Sequence, residues 1–397
     1  MHVHLDEGID EDAARAWAFE HGLTMRRNVN GSWSSMPAPI SLRPASWPRF
    51  AFEKAVAIQP YFNRLVLEIV NEHVWLEGIC NAIRDDFVER LCKIWKECPT
   101  QKLRLGLFRS DYMLHGKLEQ AELKQVELNT IAASFSHLSQ LTCDLHRENS
   151  FDIPANTAGG DIAVAIRDGL ELFKNEYGIT EAMAIMVVQP EEGNLHDQEG
   201  IIKQSGISMV RLTLEEVGQH CTTQDGVMML NGVVVGLVYY RSGYSPSDYV
   251  HSHCWTARLM VERSSAVKIP DIAMHLAGLK KVQQELACPT VLSKFMRTDG
   301  DLLASTFMEL LHLEDNESGR HNAERVLSEP DRWIAKPQRE GGGHNIFGSE
   351  LVKLLSDADP VRRTAHIIME KIDAPSEPSI LLRDKIWREP GVSELDI

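Results

Sequence analysis

The 397-residue chain lacks the usual features of secreted and membrane-spanning proteins and of proteins with Cys-x-x-Cys metal sites. Its seven cysteines are an odd number without a Cys-x-x-Cys pair, which disfavours a disulfide framework. No uncharged apolar run reaches the roughly 18 residues of a membrane helix, and the acidic N-terminus differs from a basic targeting peptide. We therefore expect a cytosolic protein with reduced thiols and no membrane partner.

Basic residues are in the minority, and this limits the kinds of partner. The chain has 41 Lys and Arg against 57 Asp and Glu, a net charge of −16. Such a charge repels nucleic-acid phosphates and anionic lipids at long range, so we expect no nucleic-acid partner. An anionic small molecule would need Lys and Arg gathered in a pocket. The sequence also lacks a Gly-x-Ser-x-Gly elbow and a Cys-His signature, which disfavours covalent hydrolysis.

The composition is that of a folded protein, with 43% hydrophobic and 25% charged residues and enough length for two or three domains. Strand-like and helical stretches alternate between residues 182 and 241, which predicts a mainly parallel sheet. Other predictions are a helix at 11–22, a loop or extended segment at 32–48, two packed helices between 61 and 98, a strand at 103–108, a strand at 123–131 and a helical segment at 254–287.

The strongest motif is KPQREGGGHN (336–345), which lies between a predicted strand and a predicted helix. Three consecutive glycines let backbone amides approach an anion, and the helix N-terminus favours negative charge, so the segment suits phosphate. Lys336 could neutralise the phosphates, and Glu340 could hold a Mg²⁺ ion that bridges them. The segment matches neither the P-loop nor the GxGxxG pattern, so a glycine-rich hairpin without a ligand is the alternative.

A second candidate is the pair Glu127 and Asn129 within KQVELNTIAASF. Side chains alternate along a strand, so these two should share one face. Two oxygen ligands on one face suit a hard cation such as Mg²⁺. The alternative is the exposed face of a half-buried strand.

Two arginines follow apolar runs, Arg109 after LRLGLF and Arg241 after VVVGLVYY. The carboxyl ends of strands are where open α/β sheets bind ligands, and arginine offers a bidentate fork to carboxylates. Either arginine could instead form a surface ion pair.

Six motifs occur here in the same order as in eukaryotic glutathione synthetases, and the chain resembles that family from about residue 50 onward. They are RSDYM (109–113), KQVELNTIAASF (124–135), RSGY (241–244), DIAMHLAGLKKVQQEL (271–286), KPQREGGGHN (336–345) and IMEKI (368–372). The resemblance implies an α/β fold: an ATP-grasp nucleotide-binding core, an inserted parallel-sheet (βαβ) substrate-binding domain and a helical N-terminal region. The expected domains are 1–181, 182–278 and 279–397, usually in a homodimer.

The resemblance also implies the activity, which is the ATP- and Mg²⁺-dependent joining of γ-glutamylcysteine to glycine. In this family the dipeptide carboxylate attacks the γ-phosphate of ATP to give an acyl phosphate, and the glycine amine then displaces phosphate. Such chemistry depends on positioning and charge neutralisation rather than on a protein nucleophile.

Site residues are carried over from the family by matching motifs. The implied Mg²⁺ ligands are Glu127, Asn129 and Glu340. The implied ATP contacts are Glu127, Lys280, Lys336, Glu340, Gly341, Gly342, Gly343, His344, Asn345, Phe347, Met369, Glu370, Lys371, Ile372 and Glu394. The implied dipeptide contacts are Arg109, Ala132, Ala133, Ser134, Glu192, Gly193, Asn194, Gln198, Arg241, Ser242, Gly243 and Tyr244. Among all these, Arg109, Lys336 and Arg241 are the expected catalytic residues.

The chain departs from the family pattern in a few places. His344 stands where the family usually has Asn, and Ala132 where Ser is common. The chain stops two residues after Leu395, whereas the family continues with further strands, a basic Arg-x-Lys segment and a Gly/Ala-rich loop. One alternative is therefore a truncated, non-catalytic isoform or paralogue that acts as a binding or dimerisation partner. Another is a sister ligase with a different acceptor amine, such as β-alanine or serine. The retained metal ligands favour catalysis.

Overall fold

The computed structural model describes residues 10–98, 100–338, 343–357 and 360–397, and these form a mixed α/β protein. The helices are α1 (Glu11–His21), α2 (Arg49–Asn71), α3 (His73–Ala82), α4 (Asp86–Glu97), α5 (Ser136–Glu148), α6 (Ala158–Tyr177), α7 (Leu195–Ser205), α8 (Leu214–His220), α9 (Ser252–Arg263), α10 (Ile272–Ala277), α11 (Lys280–Leu286), α12 (Pro289–Phe295), α13 (Gly300–Ala304), α14 (Glu317–Ser328), α15 (Gly348–Ser356) and α16 (Pro360–Thr364). None of these helices combines the length and the apolar character that crossing a lipid bilayer requires.

The strands belong to five sheets among the described residues. They are β1 (Thr24–Val29), β2 (Ser32–Pro37), β3 (Ile40–Ser41), β4 (Arg109–His115), β5 (Glu122–Asn129), β6 (Met183–Val187), β7 (Met209–Leu212), β8 (Cys221–Gln224), β9 (Val227–Leu230), β10 (Val233–Tyr240), β11 (Val267–Ile269), β12 (Leu310–Leu311), β13 (Trp333–Pro337), β14 (His366–Glu370), β15 (Glu377–Leu382), β16 (Ile386–Gly391) and β17 (Leu395–Asp396).

The N-terminal region contains a hairpin, and β2 and β3 lie within the segment 32–48 that the sequence predicts to be a loop or extended segment. β1 and β2 pair antiparallel through a turn at Asn30 and Gly31, whose φ angles are 54° and 85°. An Asn-Gly pair favours this kind of two-residue turn. The Ser- and Pro-rich composition after the turn does not indicate that this segment pairs as a strand.

Three helices, α2 to α4, form the scaffold where the sequence predicts two. α2 begins at Arg49, before the predicted start, and continues through Pro60. Asp85 caps α4 by accepting hydrogen bonds from two backbone amides of its first turn. The apolar faces of these helices share one core with Tyr112 of β4 and Leu128 of β5. The scaffold therefore supports the two strands that carry Arg109 and Glu127.

A six-stranded sheet occupies the region where strand and helix patterns alternate. Its order is β7-β6-β10-β9-β8, with β11 beside β10. β6, β7, β10 and β11 run parallel, while β8 and β9 are antiparallel. Val187 at the end of β6 lies opposite Tyr240 at the end of β10, so the loops that follow these strands meet at one edge. The division into domains at residues 181 and 278 stays a prediction.

Two predicted elements near this sheet are wrong. The stretch 103–108 is not a strand, and its Leu103, Leu105 and Leu107 pack on the core of α6 and the sheet. The alternating leucines thus reflect one-sided burial of an extended segment. The helical prediction for 254–287 is interrupted by β11, because Val267 and Ile269 are β-branched and Pro270 cannot continue a helix.

Strands of the C-terminal part belong to three small antiparallel sheets. β14 lies between β12 and β13, and β15 lies between β16 and β3. β17 pairs with β4, so Leu395 lies opposite Tyr112. β13 and α15 form at the predicted places on either side of the glycine motif.

Candidate active site

Glu127 and two lysines form the centre of the site. Lys280 Nζ of α11 lies 3.1 Å from Oε2 of Glu127, and Lys336 Nζ of β13 lies 3.9 Å from the same oxygen. Lys336 also donates a hydrogen bond of 2.7 Å to the carbonyl of Val126. Burial would raise the pKa of Glu127, but the two lysines lower it to about 2. Glu127 is therefore an anion at neutral pH, held between two cations.

The Lys336 ammonium is almost fully buried. Burial lowers the pKa of Lys336 to about 8, although Glu127 opposes this shift. Most of the population is still protonated at pH 7, so the site contains a desolvated positive charge. Such a charge attracts phosphate more strongly than an exposed lysine does.

Asn129 is on the same side of β5 as Glu127, as the strand pattern predicts. Its Nδ2 donates a hydrogen bond of 2.8 Å to Oδ2 of Asp111 on β4. Arg109 donates from Nε and Nη2 to the two oxygens of Asp111, at 2.7 and 2.8 Å. The paired strands thus bring Arg109, Asn129 and Glu127 together through Asp111, which the sequence analysis missed. The spacing Arg109-x-Asp111 on one strand face was the available signal.

Glu394 lies beside this group, near the end of the chain. One oxygen each of Asp111, Glu394 and Asp396 lie within 4.8 Å of one another. Partial desolvation and the Asp111 carboxylate raise the pKa of Glu394 to about 7 and that of Asp396 to about 6, although both residues keep surface exposed to solvent. Asp396 also lies 3.5 Å from Nε of Arg109. The pairing of β17 with β4 therefore brings a further carboxylate, Asp396, to the site, and the sequence analysis missed it.

The segment after the glycine motif pairs with β13, the strand that precedes the motif. Ala335 and Ile346 exchange backbone hydrogen bonds of 3.0 and 2.9 Å, and Gly343 has a φ of 88°. His344 and Asn345 are exposed, and Phe347 precedes the first turn of α15. The helix N-terminus thus follows the glycines, as the sequence predicts. The predicted residues Glu340, Gly341 and Gly342 lie outside the described residues.

β14 lies next to β13 and carries Met369 and Glu370, and the predicted nucleotide residues Lys371 and Ile372 directly follow it. Met369 and Lys336 line the same, mainly apolar cavity of about 30 Å³. Glu370 bonds to Arg332 at 2.9 Å, away from Glu127. Lys371 is exposed, and Ile372 packs on the small cluster that contains Met369.

A second group of predicted residues surrounds Arg241, which follows β10. Its guanidinium is buried, and its Nη2 donates to Oγ of Ser134 at 2.9 Å and to Oδ2 of Asp197 at 3.0 Å. Ala132 and Ala133 precede Ser134 in the turn between β5 and α5. The structure thus joins Arg241 to the turn that continues from Asn129.

The loop between β6 and α7 lies next to Arg241. The amide of Asn194 donates to Oε1 of Glu192 at 3.1 Å, and the carbonyl of Gly193 accepts a hydrogen bond of 2.8 Å from the amide of Arg26 on β1. Gln198 is buried on α7 and accepts a hydrogen bond of 2.8 Å from Nε of Arg211. Arg211 was not predicted from the sequence.

The segment after Arg241 is held by one carboxylate. Oδ2 of Asp248 accepts hydrogen bonds from the amides of Gly243 and Tyr244, at 2.9 and 3.2 Å. Ser242 is buried, and Gly243 has a φ of 95°, which favours glycine. Apart from Arg109, which lies on β4 beside Asp111, the predicted dipeptide residues therefore lie in loops and turns near Arg241 at the carboxyl edge of the parallel strands.

A family model described as the ATP binding domain of eukaryotic glutathione synthase matches residues 9–397. The chain belongs to the eukaryotic glutathione synthase family. It is similar to human glutathione synthetase, with 36% identity over 92% of this chain and 82% of that protein. The Dictyostelium discoideum glutathione synthetase is 33% identical over 99% of this chain and 88% of its own length. The chloroplastic glutathione synthetase of Solanum lycopersicum is 38% identical over 91% of this chain and 69% of its own length.

The fold agrees with this family. A glutathione synthetase-like effector from Globodera pallida, in its apo form, superposes with a TM-score of 0.75 over 96% of this chain and 87% of that chain, at 19% identity. Family membership makes the chain an ATP-dependent ligase of the glutathione synthase type, with ATP as co-substrate. No comparison favours the alternative of a non-catalytic binding partner.

Proposed function

We propose that this chain joins γ-glutamylcysteine to glycine at the site around Glu127 and Arg241, with ATP and Mg²⁺. The observation that carries the proposal is the ion cluster of Glu127, Lys280 and Lys336, which gathers cations in a chain of net charge −16. In this reaction the dipeptide carboxylate attacks the γ-phosphate of ATP, ADP leaves, and the glycine amine displaces phosphate from the acyl phosphate. No protein nucleophile is needed, which agrees with the lack of a triad motif.

The donor set around Glu127 fits a hard divalent cation. Glu127 stays ionised, and the side-chain amide of Asn129 donates its hydrogen bond to Asp111. The Asn129 carbonyl oxygen accepts no hydrogen bond from the described residues, so it is available as a ligand. Glu127 and Asn129 would hold Mg²⁺, with Glu340 as the third ligand carried over from the family. When bound, Mg²⁺ would neutralise charge on the phosphate oxygens.

The cations have distinct proposed tasks. Lys280 and Lys336 approach Glu127 from α11 and β13, so they would contact the ATP phosphates near the metal ligands. Arg109 is held in place by Asp111 and would orient the reacting carboxylate of the dipeptide. Met369 and the other apolar residues that line the cavity beside Lys336 would contact the adenine ring of the nucleotide. Glu394, with a pKa of about 7, would contact the nucleotide as a carboxyl group that is partly protonated at neutral pH.

The loops at the edge of the parallel sheet would bind the dipeptide. Arg241 supplies a positive charge for a carboxylate, and Glu192 a negative charge for the ammonium group. Gln198 and the amides near Ser134 add hydrogen-bonding groups. This distribution of charge is complementary to a ligand with two carboxylates and one ammonium group.

The test is phosphate release by the full-length chain with ATP, Mg²⁺, γ-glutamylcysteine and glycine, with each component omitted in turn. We expect release that depends on all four and a product with the mass of glutathione. β-Alanine and serine, offered in place of glycine, report acceptor choice. Phosphate release without glycine dependence, or no release by a folded chain that binds ATP, would contradict the proposal.

We also propose a homodimer in a reducing compartment such as the cytosol. Support comes from the family resemblance and from the seven cysteines, which are all unpaired. Sedimentation equilibrium would measure the assembly state, and a monomer at micromolar concentration would contradict the first part. Localisation of the chain by microscopy would test the second.

A further inference from the structure

Asp197 is a fully buried carboxylate that no sequence pattern pointed to, yet it contacts the candidate dipeptide site. Its Oδ2 accepts hydrogen bonds from Nη2 of Arg241 at 3.0 Å and from the amide of Phe135 at 3.1 Å. Its Oδ1 accepts from the amides of His137 and Leu138 at 3.0 and 3.2 Å. One side chain on α7 therefore binds both the arginine and the first turn of α5.

The turn held by Asp197 has an unfavourable backbone. Ala132 has a φ of 55° and Phe135 a φ of 70°, in the left-handed region that non-glycine residues rarely adopt. Such conformations persist where surrounding contacts enforce them, and they are common at ligand sites. Between these two residues, Oγ of Ser134 accepts a second hydrogen bond from Nη2 of Arg241. The turn and the guanidinium are thus fixed relative to each other through Asp197.

The guanidinium of Arg241 retains donors for a ligand. Its Nε and Nη1 have no hydrogen-bond partner among the described residues, although the side chain is only 1% exposed. Buried donors of this kind are costly to leave unpaired. A substrate carboxylate would satisfy them, whereas Asp197 already occupies Nη2.

We propose that Asp197 is a positioning residue for γ-glutamylcysteine, which acts by holding Arg241 and residues 132–135 in the arrangement that binds the dipeptide. The inference rests on the proposed function of this site. It assigns the strained turn and the buried ion pair a common role, which is preorganisation of the carboxylate site before substrate arrives.

The experiment is a double-mutant cycle with Asp197→Asn and Arg241→Lys. Asparagine keeps the size and one acceptor oxygen, so it removes the charge and weakens the hold on Arg241. We expect Asp197→Asn to raise KM for γ-glutamylcysteine about tenfold, while KM for ATP and kcat change by less than about twofold. Because Asp197 acts through Arg241, the double variant should be no worse than Arg241→Lys alone.

A matched control separates positioning from helix capping. Asp85 caps α4 through the amides of Phe87 and Val88, much as Asp197 caps the first turn of α5, and it belongs to the helical scaffold instead of to α7. Asp85→Asn should lower the melting temperature and leave KM for the dipeptide unchanged. If Asp197→Asn lowers the melting temperature like Asp85→Asn and leaves that KM unchanged, or if the effects of Asp197→Asn and Arg241→Lys multiply, the positioning role is overturned.

Two further measurements keep the inference testable. If Asp197→Asn does not fold, Asp197→Glu keeps the negative charge but displaces the carboxylate from Arg241, and we expect KM for the dipeptide to rise about threefold; no rise would overturn the inference. Calorimetric titration with γ-glutamylcysteine needs no turnover. If the wild-type chain binds the dipeptide but forms no glutathione, the proposed function fails, while the dissociation constants of the variants still decide the role of Asp197.

Discussion

Gly278 and Thr130 are in such close contact that a Cβ atom added to Gly278 would lie 2.2 Å from Oγ1 of Thr130. Thr130 directly follows β5, and Gly278 lies two residues before Lys280. The absence of a side chain at Gly278 therefore allows α11 to approach the strand that carries Glu127. The distance of 3.1 Å between Lys280 and Glu127 depends on this approach.

Gly278→Ala should separate α11 from β5. We expect a loss of about 1–3 kcal/mol in the free energy of unfolding, because the added methyl group overpacks the contact, and a rise in KM for ATP. Gly78→Ala is the matched control, because a Cβ at Gly78 meets no atom within 4 Å on helix α3. Denaturant unfolding and steady-state kinetics of both variants provide the comparison. Equal behaviour of the two variants would show that the contact with Thr130 does not set the position of Lys280.

Glu127→Gln should abolish most of the activity, since glutamine is a poorer ligand for Mg²⁺ and cannot balance the charges of Lys280 and Lys336. We expect kcat to fall about 100-fold or more, with only partial recovery at high Mg²⁺ concentration. The control is Glu122→Gln at the exposed start of the same strand, whose carboxylate pairs with Lys124. If the Glu127→Gln enzyme keeps the wild-type kcat, Glu127 is not a ligand of the metal.

Glu262→Gln should destabilise the protein strongly. Glu262 and Arg258 are both fully buried on α9, with Oε1 and Nε 2.9 Å apart, and the guanidinium lies 4.1 Å from the centre of the Tyr240 ring. Removing one charge leaves the other buried without compensation, at a cost of about 3–5 kcal/mol. Glu309→Gln, which breaks a part-exposed pair with Arg325, should cost less than about 1 kcal/mol. Chemical denaturation of the two variants measures the loss in the free energy of unfolding for each. Losses of similar size would contradict the larger cost expected for the buried ion pair.

His275 should contribute to loss of stability in acid. Its imidazole is buried on α10, facing Phe87 and near Arg258, and burial lowers the pKa of His275 well below its usual 6.5. The unfolded chain takes up a proton below about pH 6.5 while the folded chain does not, so stability is present above that pH and declines as the pH falls. The slope approaches about 1.4 kcal/mol per pH unit. His275→Gln should remove this slope between pH 6.5 and 5.5 in unfolding experiments, and an unchanged slope would exclude His275 as its source.

Strand alternation was sufficient to predict that Glu127 and Asn129 share a face, because that rule is local. The motif order was sufficient to place Lys280 and Lys336 in the same site. Asp111 was missed because its importance comes from pairing with Arg109 and Asn129 on a neighbouring strand. Asp197 was missed because its partner Phe135 is 62 residues away in the sequence. Contacts of this kind depend on tertiary packing, which a periodic pattern does not encode.

The errors in secondary structure have similar causes. Leu103, Leu105 and Leu107 alternate as in a strand, but no strand pairs with this segment in the part of the chain that the structure describes. The two-helix prediction for 61–98 allows for one helix break, whereas the chain breaks near both Glu72 and Asp85, because apolar spacing continues across these points. Local composition predicts burial well, whereas the presence of a partner strand or a helix break depends on the rest of the fold.

The hydrogen bond between Arg26 of the N-terminal hairpin and Gly193 has a practical consequence for any shortened version of the protein. All six motifs shared with glutathione synthetases lie after residue 100, which invites trimming of the N-terminal segment, although the family match itself starts at residue 9. Trimming would remove the support of the loop that carries Glu192 and Asn194, along with the contact of Ser35 with His196 on α7. An expression clone that starts at residue 50 would therefore retain every matched motif and still have a loosened dipeptide pocket.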